Sequence, residues 1–171
     1  MNVRSANAAD IPALLDLERQ CRTAAHWSQQ QYEDLFHIGA DRRRRLALVV
    51  DWFADGHDFR SESAKSESSP FPLVAFLIAH QIAPDWELEN IVIAPASRRK
   101  GLATRLLSAL LTHARETNSE SVFLEVRESN LAARALYASL GFEENGRRKL
   151  YYTNPPEDAV LYLLPLIKLS P

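Results

Sequence analysis

Apolar residues recur along the chain in two alternating rhythms, one helical and one close to strict alternation. Ile11, Leu14, Leu15 and Leu17 fall on one stripe and predict a helix that Asp10 is placed to cap, with Val3 and Arg4 as a short strand before it. Ser28 and Gln31 have the spacing of a capping box, which starts a second helix expected to run to Gly39. Residues 46–53 and 73–82 are rich in β-branched and aromatic side chains and read as neighbouring strands of a hairpin. Between them, residues 55–70 carry Ser63, Ser66, Ser68 and Ser69 among charges; so little apolar surface predicts a mobile loop.

Residues 86–93 give a further strand that Pro95 interrupts, and Leu102, Leu106, Leu107, Leu110 and Leu111 then follow at helical spacing. The strand-then-helix unit repeats over residues 122–126 and 131–140, where Gly141 takes the left-handed closing position. Residues 143–151 and 160–164 supply two closing strands. The sum is a mixed α/β (α+β) domain of about seven strands and four helices, without internal repeats.

A length of 171 residues, 46 % apolar and 25 % charged, fits one soluble domain spanning 1–171 and excludes disordered or fibrous classes. The net charge of −2 offers no field for nucleic acid, so no such partner is expected. Arg42, Arg43, Arg44 and Arg45 form one basic run, whose plainer reading is a solvated face and whose alternative is an RNA contact. Cys21, the single cysteine, falls beside Leu14 and Leu17, where a buried inert thiol is expected. No leader pattern precedes Asp10 and nothing approaches the roughly 20 apolar residues of a bilayer span, so a reducing cytoplasm without membrane attachment is expected.

Three features carry chemistry. Arg98-Arg99-Lys100-Gly101-Leu102-Ala103 joins a strand to a helix, so free N–H groups and the positive helix end face whatever lies beyond the strand. That arrangement suits a pyrophosphate, although a basic helix start is also a common solvated turn. The single glycine and the lack of a Gly-Lys-Ser/Thr run exclude dinucleotide and nucleotide-hydrolysing fingerprints. Glu125 lies inside an apolar strand, on one face with Phe123 and Arg127, either solvated or in a cleft. Asn130 and Tyr137 lie on nearly one line of the next helix, where a cap and a core aromatic are the plainer alternatives to function.

Together these residues resemble the GNAT superfamily of N-acetyltransferases and, within it, the ribosomal-protein-alanine N-acetyltransferases. Arg98 to Ala103 is similar to the family's pyrophosphate loop. Leu124-Glu125-Val126-Arg127, Ser129-Asn130, Ala135-Leu136-Tyr137 and Leu140-Gly141-Phe142 match its next strand-helix unit in order and spacing. Arg147-Arg148-Lys149-Leu150-Tyr151-Tyr152 with Glu157-Asp158-Ala159, and Trp27-Ser28, match its ends. The Ser-rich stretch ending at Pro70 is longer than the family pattern.

The resemblance implies a GNAT fold, a mixed and mostly antiparallel sheet whose strands splay at a cofactor cleft. It implies acetyl-CoA as co-substrate, with the backbone of Ile91, Val92 and Ile93 along its pantetheine arm. Arg98, Arg99, Lys100, Gly101, Leu102, Ala103 and Thr104 would hold its pyrophosphate, and Asn130 would touch it. It further implies Glu125 as general base, Tyr137 as general acid, Tyr151 and Tyr152 beside the acceptor, and no metal. The expected acceptor is a protein α-amino end, such as that of a ribosomal protein beginning with alanine. The alternatives are a small-molecule amine, a lysine side chain, or, in a different class, a non-catalytic acetyl-CoA-sensing module.

Overall fold

A computed structural model of the chain describes residues 2–21, 24–37, 45–52 and 72–166. Along the chain the elements are β1 (Val3–Ser5), α1 (Ile11–Arg19), α2 (Gln29–Asp34), β2 (Arg45–Asp51), β3 (Leu73–Ile82) and β4 (Asp85–Ile93). They continue as α3 (Leu102–Glu116), β5 (Ser121–Arg127), α4 (Leu131–Ser139), β6 (Glu143–Thr153) and β7 (Pro156–Pro165). The seven strands form one sheet in the order β1-β2-β3-β4-β5-β7-β6. Every neighbouring pair is antiparallel except β4 with β5.

Because β3 is apolar at successive positions, it is buried on both faces. Ala75, Leu77 and Ala79 face the α3 side, with Leu106, Leu107 and Leu110, while Phe76 and Ile78 face the α1 side, with Leu14, Leu17 and Tyr32. The sheet thus separates two cores. No helix among the described residues is long and apolar enough to cross a membrane.

Three boundaries differ from the sequence reading. Asp10 stands where it should cap α1, but its carboxylate makes no cap bond there; Asn7 and Asp10 instead cap the short 3-10 turn before α1. Asp10 also pairs with Arg4 at 2.8 Å, and the guanidinium is worth more to the carboxylate than the first turn of the helix is. The helix α2 ends at Asp34, because Tyr32 is its one buried residue and no apolar stripe carries it further; Gly39 lies outside the described residues. The last two strands are longer than predicted, since their ladder continues through polar residues to a turn at Asn154 and Pro155. Residues 55–70, the expected loop, also lie outside the described residues.

Candidate active site

The pairing of β4 with β5 covers only Trp86–Leu88 against Val122–Leu124. Past that point the strands part, and β5 stays with β7 through Arg127. The parting begins at a bulge: on β3, Ile78 faces Asn90 and Ala79 faces Leu88, so Glu89 is the extra residue on β4. An extra residue reverses which side each later side chain takes. Trp86 and Leu88 belong to the α3-side core, whereas Val92 belongs to the α1-side core and Asn90 donates to Glu18 of α1 at 2.7 Å. Ile91 and Ile93 consequently turn to the α3 side. The edge of β4 toward β5 is left outside any strand ladder there, so its backbone is available to an extended ligand.

This gap opens into a cavity of about 610 Å³ that is lined mostly by the starts of α3 and α4, with Cys21 and Ala24 of the α1-side core at its border. Ile91, Val92 and Ile93 form one wall, Arg98, Arg99, Gly101, Leu102, Ala103 and Thr104 the mouth, and Asn130 and Tyr137 the opposite wall. Gly101 precedes α3 with φ +75°, a left-handed conformation that turns the chain into the helix start. Nothing lies within 4 Å of where a Cβ would sit, so glycine is needed for the backbone angle rather than for room against the protein. Lys100 does not line the cavity; its ammonium lies 4.7 Å from the Trp52 ring centroid. Arg98 Nε donates to the Ile93 carbonyl at 3.5 Å, and Cys21 Sγ donates to the same oxygen at 3.4 Å. Cys21 also lines the cavity, a placement the inert-thiol reading did not include.

Asn130 and Tyr137 fit their plain readings, as a cap and a core aromatic, and both also line the cavity. Asn130 Oδ1 caps α4 by accepting from Ala133 N–H at 3.3 Å. Tyr137 is 4 % exposed and packs edge-on against Phe142. Burial raises its phenol well above the usual range, so the ring reaches the cavity with its proton in place.

Glu125, Tyr151 and Tyr152 lie away from that cavity, on the α1 face of the sheet. Glu125 Oε1 forms an ion pair with Arg148 Nη1 at 3.0 Å, with the carboxylate side chain 16 % exposed. Arg148 also lies over the Tyr151 ring, and Arg127 stacks on Tyr152 at 4.0 Å. A second β6 bulge lies between Arg148 and Tyr152 and is pinned by Leu150 N–H donating to Asp158 at 2.8 Å; Tyr152 is half-buried and Tyr151 exposed. The Glu125 charge raises the Tyr151 phenol; burial raises that of Tyr152, and Arg127 partly offsets it.

Sequence reasoning missed Glu87 and Glu89, two carboxylates in the apolar β4. Burial raises both, and Glu125 raises Glu87 further. Their signal was the one that exposed Glu125: an acid recurring inside an apolar strand. Glu18 was missed as well. Buried in α1, it accepts from Asn90 and from Trp27 N–H at 2.8 Å, tying the segment before α2 to the parted strand.

A sheet that opens between two parallel strands, with a glycine-led helix start at the opening, defines a class. Residues 11–142 match the acetyltransferase (GNAT) family, and the chain belongs to that family. It is 38 % identical over 162 residues to a [ribosomal protein bS18]-alanine N-acetyltransferase of Salmonella typhimurium, covering 94 % of each chain. With the protein of that name from Escherichia coli K12 it shares 40 % identity over 96 residues, 55 % of this chain and 65 % of that protein's length. The crystal structure of the Escherichia coli ribosomal-protein-S18-alanine N-acetyltransferase superposes with a TM-score of 0.71 at 28 % identity, over 96 % of this chain and 92 % of that one.

Proposed function

We propose that this chain is an acetyl-CoA-dependent N-acetyltransferase that modifies the α-amino end of a protein, in the manner the names of its relatives describe for ribosomal protein bS18. The parting of β4 and β5 between a 610 Å³ cavity and a carboxylate-lined face carries this reading. A thioester and an amine can then meet from opposite sides of the sheet.

The donor fits the α3 side. The free edge of β4 at Ile91–Ile93 suits the amides of a pantetheine arm, and the helix start at Gly101 with Arg98 and Arg99 suits a pyrophosphate. When bound, acetyl-CoA supplies an activated acyl group as a thioester. Asn130 lines its path, and Tyr137 presents a phenolic O–H to the leaving sulfur.

On the other face Glu125 acts as general base, directly or through water. An α-amino group with a pKa of about 8 is roughly 10 % neutral at pH 7, so removing its proton costs only about 1.4 kcal/mol. A lysine near 10.4 adds roughly 3 kcal/mol to that step, which favours chain ends. Tyr151 and Tyr152 border the acceptor. The chain works as one domain in a reducing cytoplasm, where its single cysteine needs no partner.

The test is a library of peptides varied at their first two residues, offered with acetyl-CoA while thiol release is followed. Turnover on alanine-first peptides, and none on peptides with a blocked N-terminus, is expected. Turnover only on polyamines or lysine side chains would replace this reading.

A further inference from the structure

A row of charges crosses the α1 face at the level where β4 and β5 part. Arg45 comes from β2, Glu89 and Glu87 from β4, Glu125 from β5 and Arg148 from β6. Arg45 Nη2 stands 3.9 Å from Glu89 Oε1, as does His80 Nδ1 of β3, and Arg148 Nη1 stands 3.0 Å from Glu125. Glu87 is coupled electrostatically to both of the other carboxylates. Three carboxylates between two guanidinium groups leave the row one positive charge short while His80 is neutral.

These carboxylates are not equivalent. Glu125 is held by Arg148, but Glu89 Oε2 is buried and has no hydrogen-bond partner among the described residues. An ionised oxygen in that condition is costly unless a donor arrives. Burial pushes the Glu89 carboxyl above its usual range, Arg45 pulls it partly back and Glu87 pushes it up again. Glu89 is also the bulge residue, at the irregularity beyond which β4 and β5 part.

We propose that Glu89 is the ammonium anchor of the acceptor site: Oε2 accepts a hydrogen bond from the incoming primary ammonium and holds its nitrogen at the gap. This rests on the acetyltransferase reading above. The ammonium supplies both things the row lacks, a donor and a positive charge. Glu125 then takes the proton: an N–H bond breaks, an O–H bond forms on Glu125, and the nitrogen keeps the electron pair with which it attacks. Glu89 keeps its charge throughout, so its contribution is to acceptor binding more than to turnover.

The experiment compares the wild type with Glu89→Gln on three amines: an alanine-first peptide, an N-blocked peptide carrying lysine, and spermidine. Acetyl-CoA affinity by calorimetry and the melting temperature at pH 7 are read beside the kinetics. On the amine that the wild type acetylates, Glu89→Gln should raise the acceptor KM by about tenfold or more. Its kcat should stay within about threefold, with acetyl-CoA affinity and melting temperature undiminished. A KM within twofold of wild type overturns the proposal, and so does a rise accompanied by weaker acetyl-CoA binding and a lower melting temperature, which would mark a structural role. If the wild type acetylates only the lysine peptide or spermidine, the chain-end reading falls, and Glu89 is judged on the amine that works.

Discussion

The two faces of the sheet at the gap are built on different plans. The α3 face takes most of its site from one stretch, residues 91–104, closed by the first two turns of α4 and by Cys21 and Ala24. Its features are backbone features: a free strand edge, a left-handed glycine and a helix start. The α1 face assembles side chains from four strands, and its features are charges, with Arg45, Glu89, Glu87, Glu125 and Arg148 in a row. A backbone site recognises what is common to every turnover, the acyl carrier. A side-chain site can be retuned by single substitutions, which suits the face proposed to select the acceptor.

Substitutions should therefore separate by face. The largest effect is expected from Tyr137→Phe, which removes the proposed proton donor to the sulfur. In single-turnover experiments its rate should fall on the order of 10²-fold at every pH, with acetyl-CoA affinity retained. Glu125→Gln, on the opposite face, should lose on the order of tenfold at pH 7, because solvent still provides roughly 10 % neutral amine. That deficit should shrink as the pH passes about 8, whereas parallel pH profiles for the two variants would abolish the division of labour. Gly101→Val forces a β-branched residue to φ +75°, at a backbone cost of roughly 1–2 kcal/mol. Calorimetry should show acetyl-CoA weakened by about tenfold, with the acceptor KM unmoved.

The smallest effect is on stability. The folded-state value of Glu89 lies above the unfolded one, so its charge opposes folding wherever the pH exceeds the folded value. Below the unfolded value, near 4, both states are protonated and the opposition vanishes. Glu89→Gln should accordingly raise the melting temperature on the order of 2 °C at pH 7 and leave it unchanged near pH 3. A lower melting temperature at pH 7 would show that Arg45 and His80 make Glu89 a net structural asset.

The α3 face was legible in the sequence for the same reason that it is contiguous. Strand, Pro95, Gly101 and the leucine stripe follow one another, and Asn130 and Tyr137 sit on one helical line. The α1 face was not, because Arg45, His80, Glu87, Glu89 and Arg148 are brought together only by strand order. The bulge was hidden too. Trp86, Leu88, Asn90 and Val92 are buried in unbroken alternation, although the first pair faces α3 and the second α1. Alternation survives a bulge where both faces of a strand are covered, so nothing in the pattern betrays the reversal. Asp10 misled for a local reason: a good cap residue stood next to a better partner, Arg4.

The opposition of the two faces is tested most directly by amide hydrogen exchange with each substrate added alone. Acetyl-CoA should slow exchange in Ile91, Val92, Ile93 and the Arg98 to Thr104 turn and leave Tyr151 and Tyr152 unaffected. An alanine-first peptide should slow exchange around Tyr151 and Tyr152 and leave the Arg98 to Thr104 turn unaffected. Protection of the same residues by both substrates, or of Tyr151 and Tyr152 by acetyl-CoA alone, would contradict an acyl carrier and an amine meeting through the gap from opposite sides.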